Sequence, residues 1–370
     1  MAFTINKQVK AMNVSGVRKM FELASRMKNP IDLSLGLPDF DVPEVVKEEA
    51  IKSIKNGLNR YTSTTGIKEL KQKILEKLKK ENKIIADEEQ IIVTSAVSGA
   101  LSIIFTTIIN EGDEIIVVEP YFVAYKELII QNGGIPVYAT TKEDFSLDLE
   151  SLKSKINNKT KIIVINSPNN PSGKVYSKEE LKKLANIARK SNILVISDEI
   201  YEKFCYDKKH FSIGSIYQNT ITINGFSKSH AMTGWRVGYV VGPKEIIQEA
   251  IKVQQFNFVC APTPFQYAAI KALDCDVSDY VKKYEIKRNI IYKGLKKSYE
   301  LIKPEGAFYA FIKYPYASEK FVNNCIKNNL LIVPGTAFSR SNTHFRISFA
   351  NKDETLKKAV EILNRIAKAK

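Results

Sequence analysis

The chain has 370 residues, of which 44% are hydrophobic and 26% are charged, and these values are typical of a globular protein. Its length allows two domains, each with its own core. No stretch approaches the ~20 apolar residues of a membrane helix, and the first residues lack the apolar segment of a signal peptide. We therefore expect a cytoplasmic protein without membrane partners. The four cysteines and three histidines form no metal-binding or paired spacing, so the sequence predicts no metal site.

The formal net charge of +16 makes nucleic-acid binding the main alternative from another functional class. The lysines, however, are spread along predicted helices such as residues 67 to 83, and no zinc-finger, homeodomain or RNA-binding motif appears. We attribute the charge to general lysine usage and expect no nucleic-acid partner. A steep salt dependence of DNA binding would contradict this interpretation.

From about residue 90, short Ile/Val-rich runs alternate with amphipathic helical patterns. Helices are predicted over residues 99 to 110, 123 to 132 and 177 to 190, and the last opens on a capping box formed by Ser177 and Glu180. This alternation indicates an α/β fold, a three-layer sandwich with a mostly parallel seven-stranded sheet whose ligands bind at the carboxyl ends of the strands. The predicted strands cover residues 91 to 95, 114 to 119, 135 to 140, 161 to 166, 193 to 198, 220 to 226 and 236 to 242.

A different pattern begins near residue 266. A long helix over residues 280 to 299 is followed by short strands at residues 306 to 312, 331 to 333 and 345 to 349, and by a lysine-rich terminal helix. These elements do not repeat a βαβ unit and indicate a smaller α+β domain. We predict a large cofactor-binding domain over residues 45 to 265, and a small domain formed by residues 1 to 44 together with 266 to 370.

The segment NGFSKSHAMTGWRVGY, residues 224 to 239, carries the most informative chemistry. A lysine amine attacks a carbonyl once its pKa is lowered, and Lys228 lies between Ser227 and Arg236, which together can bind a phosphate. Only nine of the 56 basic residues are arginines, so an arginine at this position is less often incidental. The alternative is an ordinary lysine on a solvated loop, but the length of the motif favours a site for a phosphorylated aldehyde.

This segment resembles the cofactor-lysine signature of class I aminotransferases, which are pyridoxal 5'-phosphate enzymes of fold type I. The resemblance extends from about residue 14 to residue 366, with the motifs in the family order. It implies that Lys228 anchors the cofactor and then acts as general acid and base for the α-proton. Ser227 and Arg236 would contact the cofactor phosphate.

Two further motifs follow predicted strands. In SPNNPSG, Asn170 lies between two prolines, either in a plain turn or, as the resemblance implies, in contact with the cofactor's phenolic oxygen and the substrate carboxylate. In SDEIY, a carboxylate at a strand end can begin a loop, or it can keep a pyridine nitrogen protonated. The resemblance implies that second role for Asp198 and a hydrogen bond to the phenolic oxygen for Tyr201. It assigns no role to Glu199 or Glu202.

The turn TSAVSGAL, residues 94 to 101, offers backbone amides at the start of a helix to an anion. The resemblance implies that Val97 and Ser98 hold the cofactor phosphate, although the family often has glycine where Ala96 and Val97 stand. Phe122 is either a ring that stacks on the cofactor or a core phenylalanine.

Three residues bear on the substrate and on assembly. LSLGLPDF resembles the N-terminal motif of the family, which implies that the backbone at Gly36 approaches the substrate carboxylate. Arg346 in FRISFA lies among apolar neighbours, where a guanidinium needs an anionic partner, although an ordinary edge-strand arginine is the alternative. The resemblance makes Arg346 the clamp for the substrate α-carboxylate. It also implies that Tyr61 reaches the cofactor of a second subunit, and so predicts a homodimer.

The sequence therefore predicts an aminotransferase that moves an amino group between an L-amino acid and a 2-oxo acid. Aspartate/2-oxoglutarate or broad specificity is the first expectation. Some aspartate-specific relatives carry a lysine where this chain has Ser98, so aromatic, alanine and acyl-diaminopimelate specificities stay open. A β-lyase on the same fold stays open as well.

Overall fold

A computed structural model describes residues 3 to 368, apart from the side chain of Phe21. Among these residues, no helix combines the length and the apolar character that crossing a membrane requires. The strands in chain order are β1 (Ile31–Asp32), β2 (Ile91–Thr94), β3 (Glu114–Glu119), β4 (Ile135–Thr140), β5 (Thr160–Asn166), β6 (Leu194–Asp198), β7 (Thr220–Gly225), β8 (Gly238–Val241), β9 (Tyr309–Lys313), β10 (Leu330–Leu331), β11 (Val333–Pro334) and β12 (His344–Ser348).

Helices lie before, between and after these strands. They are α1 (Lys7–Ala11), α2 (Gly16–Ala24), α3 (Glu44–Lys55), α4 (Lys68–Lys77), α5 (Ala96–Ile108), α6 (Ala124–Gln131), α7 (Leu149–Ser154), α8 (Lys178–Lys190), α9 (Lys244–Asn257), α10 (Thr263–Ala272), α11 (Ser278–Leu295), α12 (Ser318–Lys327) and α13 (Asp353–Lys368).

The main sheet has seven strands in the order β2-β8-β7-β6-β5-β3-β4. Only β8 runs antiparallel to its neighbours, β2 and β7. Separate apolar clusters cover its two faces, and the central strands are therefore buried on both sides. The predicted fold class, a mostly parallel seven-stranded sheet between helical layers, is confirmed.

The boundaries of several elements differ from the prediction. β8 begins at Gly238 rather than at residue 236, because Arg236 adopts a left-handed backbone with φ of 56° that interrupts the extended run. α5 begins at Ala96, three residues before the predicted start. The helix predicted over residues 67 to 83 is α-helical only to Lys77 and continues as a wider π-helical turn. The Ser177–Glu180 capping box is present as predicted.

A second, smaller sheet has the order β11-β12-β9 and is antiparallel throughout. The strand predicted over residues 331 to 333 is divided between β10 and β11. β10 pairs in parallel with β1, so residues 31 to 32 lie beside residues 330 to 331. The domain division at residues 45, 265 and 266 remains a prediction. The two sheets meet at the carboxyl ends of β5 and β6, where the candidate site lies.

Candidate active site

A cavity of about 550 Å³ opens at the carboxyl ends of β5 and β6. The end of the large parallel sheet, the first turn of α5 and residues of β9 and β12 form its wall. Eleven of the twelve residues that the sequence singled out line this one cavity: Gly36, Val97, Ser98, Phe122, Asn170, Asp198, Tyr201, Ser227, Lys228, Arg236 and Arg346.

Lys228 follows β7 and directs its amine into the cavity. Its Nζ donates a hydrogen bond to the carbonyl oxygen of Gly36 at 2.8 Å. Burial lowers the pKa of Lys228 to about 8, and the charges of Arg346 and Arg236 contribute, while Asp198 opposes them. An appreciable fraction of the amine is therefore unprotonated near neutral pH, as a nucleophile requires.

Position 36 is occupied by glycine for a steric reason. A Cβ atom on Gly36 would lie 2.0 Å from the hydroxyl oxygen of Tyr309, which is not a possible contact. The sequence interpretation expected this glycine to let its backbone approach a substrate carboxylate. In the structure, it makes room for Tyr309 and presents its carbonyl to Lys228.

Asp198 is the last residue of β6 and is 2% exposed. Its carboxylate accepts hydrogen bonds from Tyr125 Oη at 2.7 Å and from the amide of Ile200 at 3.2 Å. Burial raises the pKa of Asp198 to about 6, against these two hydrogen bonds. Within residues 3 to 368 no cationic side chain forms an ion pair with it. The site therefore offers a buried carboxylate suited to a ligand with a protonated nitrogen.

Arg346 lies in β12, the central strand of the small sheet, and is 2% exposed. The alternative of an ordinary edge-strand arginine is therefore wrong. Its Nη1 donates to Asn170 Oδ1 at 3.0 Å, and its Nη2 donates to the carbonyl of Ser34. Its guanidinium lies between the rings of Tyr309 and Phe338, 4.6 Å from each centroid.

All of these partners of Arg346 are neutral. In the described part of the chain, Arg346 forms no ion pair with a carboxylate, and its Nε is buried without a hydrogen-bond partner. A buried guanidinium that lacks an anion and keeps a free donor is suited to an anionic ligand with two oxygens in one plane. A carboxylate has this geometry.

Arg236 belongs to a second group of donors in the cavity wall. Arg236 is half-buried and donates through Nη1 to the carbonyl of Thr233 at 2.9 Å, and Ser227 lies beside the same space. α5 begins here without a side-chain hydrogen bond from its N-cap residue, Ser95, so its first amides are open to a ligand. This arrangement fits a phosphate group.

Ala96 takes the left-handed φ of 56° at the start of α5, where the family often has glycine. β8 passes close behind this turn. A Cβ atom on Gly238 would lie 2.8 Å and 2.9 Å from two backbone atoms of Ala96, so the position requires glycine. This close packing fixes the backbone of the helix start that faces the cavity.

The model of the family described as aminotransferase class I and II matches residues 28 to 363. This chain belongs to the class I and II aminotransferases. It is 40% identical to the probable aspartate aminotransferase of Methanocaldococcus jannaschii over 98% of this chain and 99% of that protein. It is 36% identical to aromatic-amino-acid aminotransferase 2 of Thermococcus litoralis over 99% of both chains.

A solved structure gives the same result for the fold. The aspartate aminotransferase of Thermus thermophilus with maleate superposes with a TM-score of 0.93 at 35% identity, over 99% of this chain and 100% of that chain. The sequence resemblance to aminotransferases is thus confirmed, together with the fold that it implied.

Tyr61 is the one predicted site residue that the fold does not bring to the cavity of this aminotransferase. Its side chain is 82% exposed, and it lines a separate surface depression with Arg60 and Tyr267. Its predicted contact with a second subunit stays a prediction.

Sequence reasoning missed three residues of the aminotransferase site. Tyr309 shares a 2.8 Å hydrogen bond with Tyr201 through the two hydroxyl oxygens, and nothing in its sequence spacing indicated this. Tyr125 follows Phe122 by three residues, a spacing that places both on one side of a helical turn and could have revealed it. Asn166 ends β5, and its Nδ2 donates to the carbonyl of Asp198 at 2.9 Å. Its position at a strand end could have revealed it.

Proposed function

We propose that this protein is a pyridoxal 5'-phosphate-dependent aminotransferase that moves an amino group between aspartate and 2-oxoglutarate. One observation carries the proposal. The buried guanidinium of Arg346, which has no carboxylate partner in the described part of the chain, shares a cavity with the amine of Lys228, whose pKa is lowered to about 8. A receptor for a carboxylate and a nucleophilic amine in one cavity suit an α-amino acid.

The donor set of the cavity fits this cofactor. Asp198 would hold the ring nitrogen in its protonated form, while Arg236, Ser227 and the first amides of α5 would hold the phosphate. Asn170 and Tyr201 would contact the phenolic oxygen, and the half-buried ring of Phe122 would cover one face. When bound, the cofactor supplies an electron sink for the pair of electrons left by removal of the α-proton.

Lys228 would move that proton. Its amine is held by the carbonyl of Gly36 and can accept a proton only while it is unprotonated, which a pKa of about 8 allows near neutral pH. Arg346, fixed between two aromatic rings, would hold the substrate α-carboxylate and so present the α-carbon to Lys228.

Two observations support a dicarboxylic substrate. The Methanocaldococcus and Thermus relatives are named for aspartate, and the Thermus structure contains maleate, a dicarboxylate. Arg18 of α2, whose Nε also donates to Glu22 at 3.0 Å, lines the cavity, and a distal carboxylate needs a cation such as this one. Ser98 stands where some relatives carry a lysine, so Arg18 would take over that role here.

An aromatic substrate is the second candidate. Apolar side chains form part of the cavity wall, and the Thermococcus relative is named for aromatic amino acids. These wall residues are Val17, Leu35, Leu37, Phe122 and Val123.

A half-reaction separates these candidates. Protein loaded with pyridoxal phosphate is mixed with a single amino acid, and the change to the pyridoxamine form is followed by absorbance while the 2-oxo acid is identified. We expect aspartate to react with the highest kcat/KM and to yield oxaloacetate, and Arg18→Gln to lower kcat/KM for aspartate but not for phenylalanine. A faster reaction with phenylalanine would favour the aromatic alternative. Release of pyruvate and ammonia from a cysteine conjugate without pyridoxamine would indicate a β-lyase.

A homodimer is part of the proposal because the resemblance gives Tyr61 a role at the cofactor of a second subunit, and Tyr61 lines a depression separate from the cavity of its own chain. Light scattering should give about twice the chain mass of 41.8 kDa. Tyr61→Phe should weaken cofactor binding in the dimer. A fully active monomer would contradict this part of the proposal.

A further inference from the structure

Glu199 has no place in the cavity, although it directly follows Asp198. Its amide donates to the carbonyl of Ile223 at 2.9 Å, so the strand pairing of β6 continues through it. Successive side chains of an extended strand point to opposite faces, and the Glu199 carboxylate is accordingly buried on the side away from the cavity, with an exposure of 0%. A fully buried carboxylate next to the key acid of the site requires an explanation.

Four donors surround the Glu199 carboxylate. Ser197 Oγ lies at 2.9 Å and Ser212 Oγ at 2.7 Å from Oε1, while Asn82 Nδ2 lies at 3.1 Å and His210 Nε2 at 2.9 Å from Oε2. These contacts fix the peptide between Asp198 on one side and the loop that carries Tyr201 on the other.

His210 is the partner that can carry charge. Burial lowers the pKa of His210, but the charge of Glu199, their hydrogen bond and the charge of Glu202 together raise it above its ordinary value, with Lys77 opposing. A protonated His210 neutralises Glu199 within the low-dielectric interior.

The ligand atoms of Glu199, Glu202 and His210 lie within 4.8 Å of one another, a spacing that a metal ion could use. The two carboxylates are already occupied, however. Glu202 accepts from Lys77 through one oxygen and from Asn82 at 2.8 Å through the other, in addition to the four donors of Glu199. Both carboxylates are therefore satisfied by donors of the protein, while Nδ1 of His210 is buried without a hydrogen-bond partner among the described residues.

We propose that Glu199 and His210 form a buried positioning pair for Asp198, in which protonated His210 cancels the charge of Glu199 so that Asp198 keeps its own charge for the cofactor ring nitrogen. The inference rests on the proposed function, because it takes Asp198 as the partner of that nitrogen. Its physical basis is the repulsion between like charges on adjacent residues, which an uncompensated Glu199 would exert on Asp198.

The charge of His210 can be measured directly. The chain has three histidines, so the imidazole NMR signals are few, and His210→Gln assigns the signal of interest. We expect His210 to titrate above the ordinary value of about 6.5, and to titrate below it in Glu199→Gln, where burial remains without the anion. A wild-type His210 that loses its proton at or below about 6.5 would overturn the proposal.

The effect on the site is read from the bound cofactor. In protein loaded with pyridoxal phosphate, the pH midpoint of the cofactor absorbance change reports the charge around it. His210→Gln should raise this midpoint by about one pH unit, because the Glu199 carboxylate keeps its serine and asparagine donors but loses its counter-charge. His210→Asn is a second neutral variant for the case that glutamine prevents folding.

The double variant Glu199→Gln/His210→Gln separates charge from structure. It removes both charges, so the midpoint should return to within ~0.2 of wild type, whereas a merely structural pair would leave the double variant at least as perturbed as the single one. The double variant Lys77→Met/Glu202→Gln, which removes the neighbouring ion pair and so keeps the net charge of the cluster, is the matched control and should leave the midpoint unchanged.

The outcomes distinguish the inference from the proposed function. Wild-type protein that fails to bind pyridoxal phosphate would overturn both. Normal binding with an unshifted midpoint in His210→Gln would overturn the positioning pair alone.

Discussion

The cavity has two candidate anion sites, a proposed carboxylate end around Arg346 and a proposed phosphate end around Arg236, and they would bind anions in different ways. At the carboxylate end, Arg346 is 2% exposed, stacked between two aromatic rings and hydrogen-bonded to neutral acceptors. At the phosphate end, a half-buried Arg236 shares the work with Ser227 and the open amides of α5. The carboxylate end thus relies on one buried charge, whereas the phosphate end combines a half-buried charge with several polar groups.

The difference follows from what each end holds. A substrate enters and leaves in every cycle, so its receptor must be rigid before binding, and burial strengthens each of its electrostatic contacts. A resident phosphate is held continuously, so several weaker contacts with backbone amides suffice. Loss of one group should therefore be severe at the carboxylate end and mild at the phosphate end.

The largest effect is expected from the amine between the two ends. Lys228→Ala should lower kcat by at least about 10³-fold, because it removes both the nucleophile and the base, while both anion sites stay intact. The measurement is the half-reaction with aspartate at saturating substrate. Full turnover by this variant would exclude both the aminotransferase and the β-lyase proposals.

Arg346→Gln tests the carboxylate end. Breaking a buried charge pair with the substrate costs about 2 to 5 kcal/mol, so kcat/KM should fall by about 30- to 5,000-fold, while the dissociation constant of the cofactor stays within about twofold. Arg346→Lys, which keeps the charge but loses the planar guanidinium, is the matched control, and its kcat/KM should lie between those of wild type and Arg346→Gln. A loss of cofactor affinity equal to the loss of kcat/KM would contradict the division of the cavity into two ends.

Asp198→Asn tests the acid between the ends in the cofactor-free protein. Burial raises the pKa of Asp198 from 3.8 to about 6, so the folded state binds more protons than the unfolded state between these values. The free energy of unfolding therefore falls as pH rises through this interval. Between pH 4 and pH 8, wild type should lose about 2.4 kcal/mol more than Asp198→Asn, at 1.36 kcal/mol per pKa unit.

Urea unfolding of both proteins at a series of pH values gives this difference. Parallel profiles for the two proteins would show that Asp198 titrates normally. Binding of the cofactor should reverse this fall in the free energy of unfolding, because the ring nitrogen then pairs with the carboxylate of Asp198.

Arg236→Gln tests the phosphate end and should have the smallest effect. We expect the dissociation constant of pyridoxal phosphate to rise by about tenfold, since one charge-assisted hydrogen bond of a partly exposed group is lost while Ser227 and the amides of α5 remain. At saturating cofactor, kcat should stay within a few-fold of wild type. A loss as large as that of Arg346→Gln would remove the asymmetry between the two ends.

Local chemistry made much of this protein predictable. Ile/Val-rich runs separated by helices specified a parallel sheet, and the Ser177–Glu180 capping box fixed the start of α8, because both patterns depend on neighbours along the chain. The residues at strand ends, Asp198 and Asn170, could be placed in one site because parallel strands present their carboxyl ends to the same edge.

Other features depended on contacts between distant segments. Tyr309 hydrogen-bonds Tyr201 across 108 positions and, through its hydroxyl, requires glycine at position 36, so no local spacing indicates its role. Glu199 and His210 likewise meet only after the loop that follows β6 has folded back.

The sequence by itself determined the sheet, the order of the motifs and the family, since these follow from periodicity and from short runs of residues. Tertiary structure alone decided the environments of the charges. Among residues 3 to 368 it gave Arg346 no carboxylate partner, and it lowered the pKa of Lys228 to about 8 and paired Glu199 with His210. The physical reason is that burial and long-range contacts set the ionisation of a side chain, and neighbouring residues in the sequence determine neither of them.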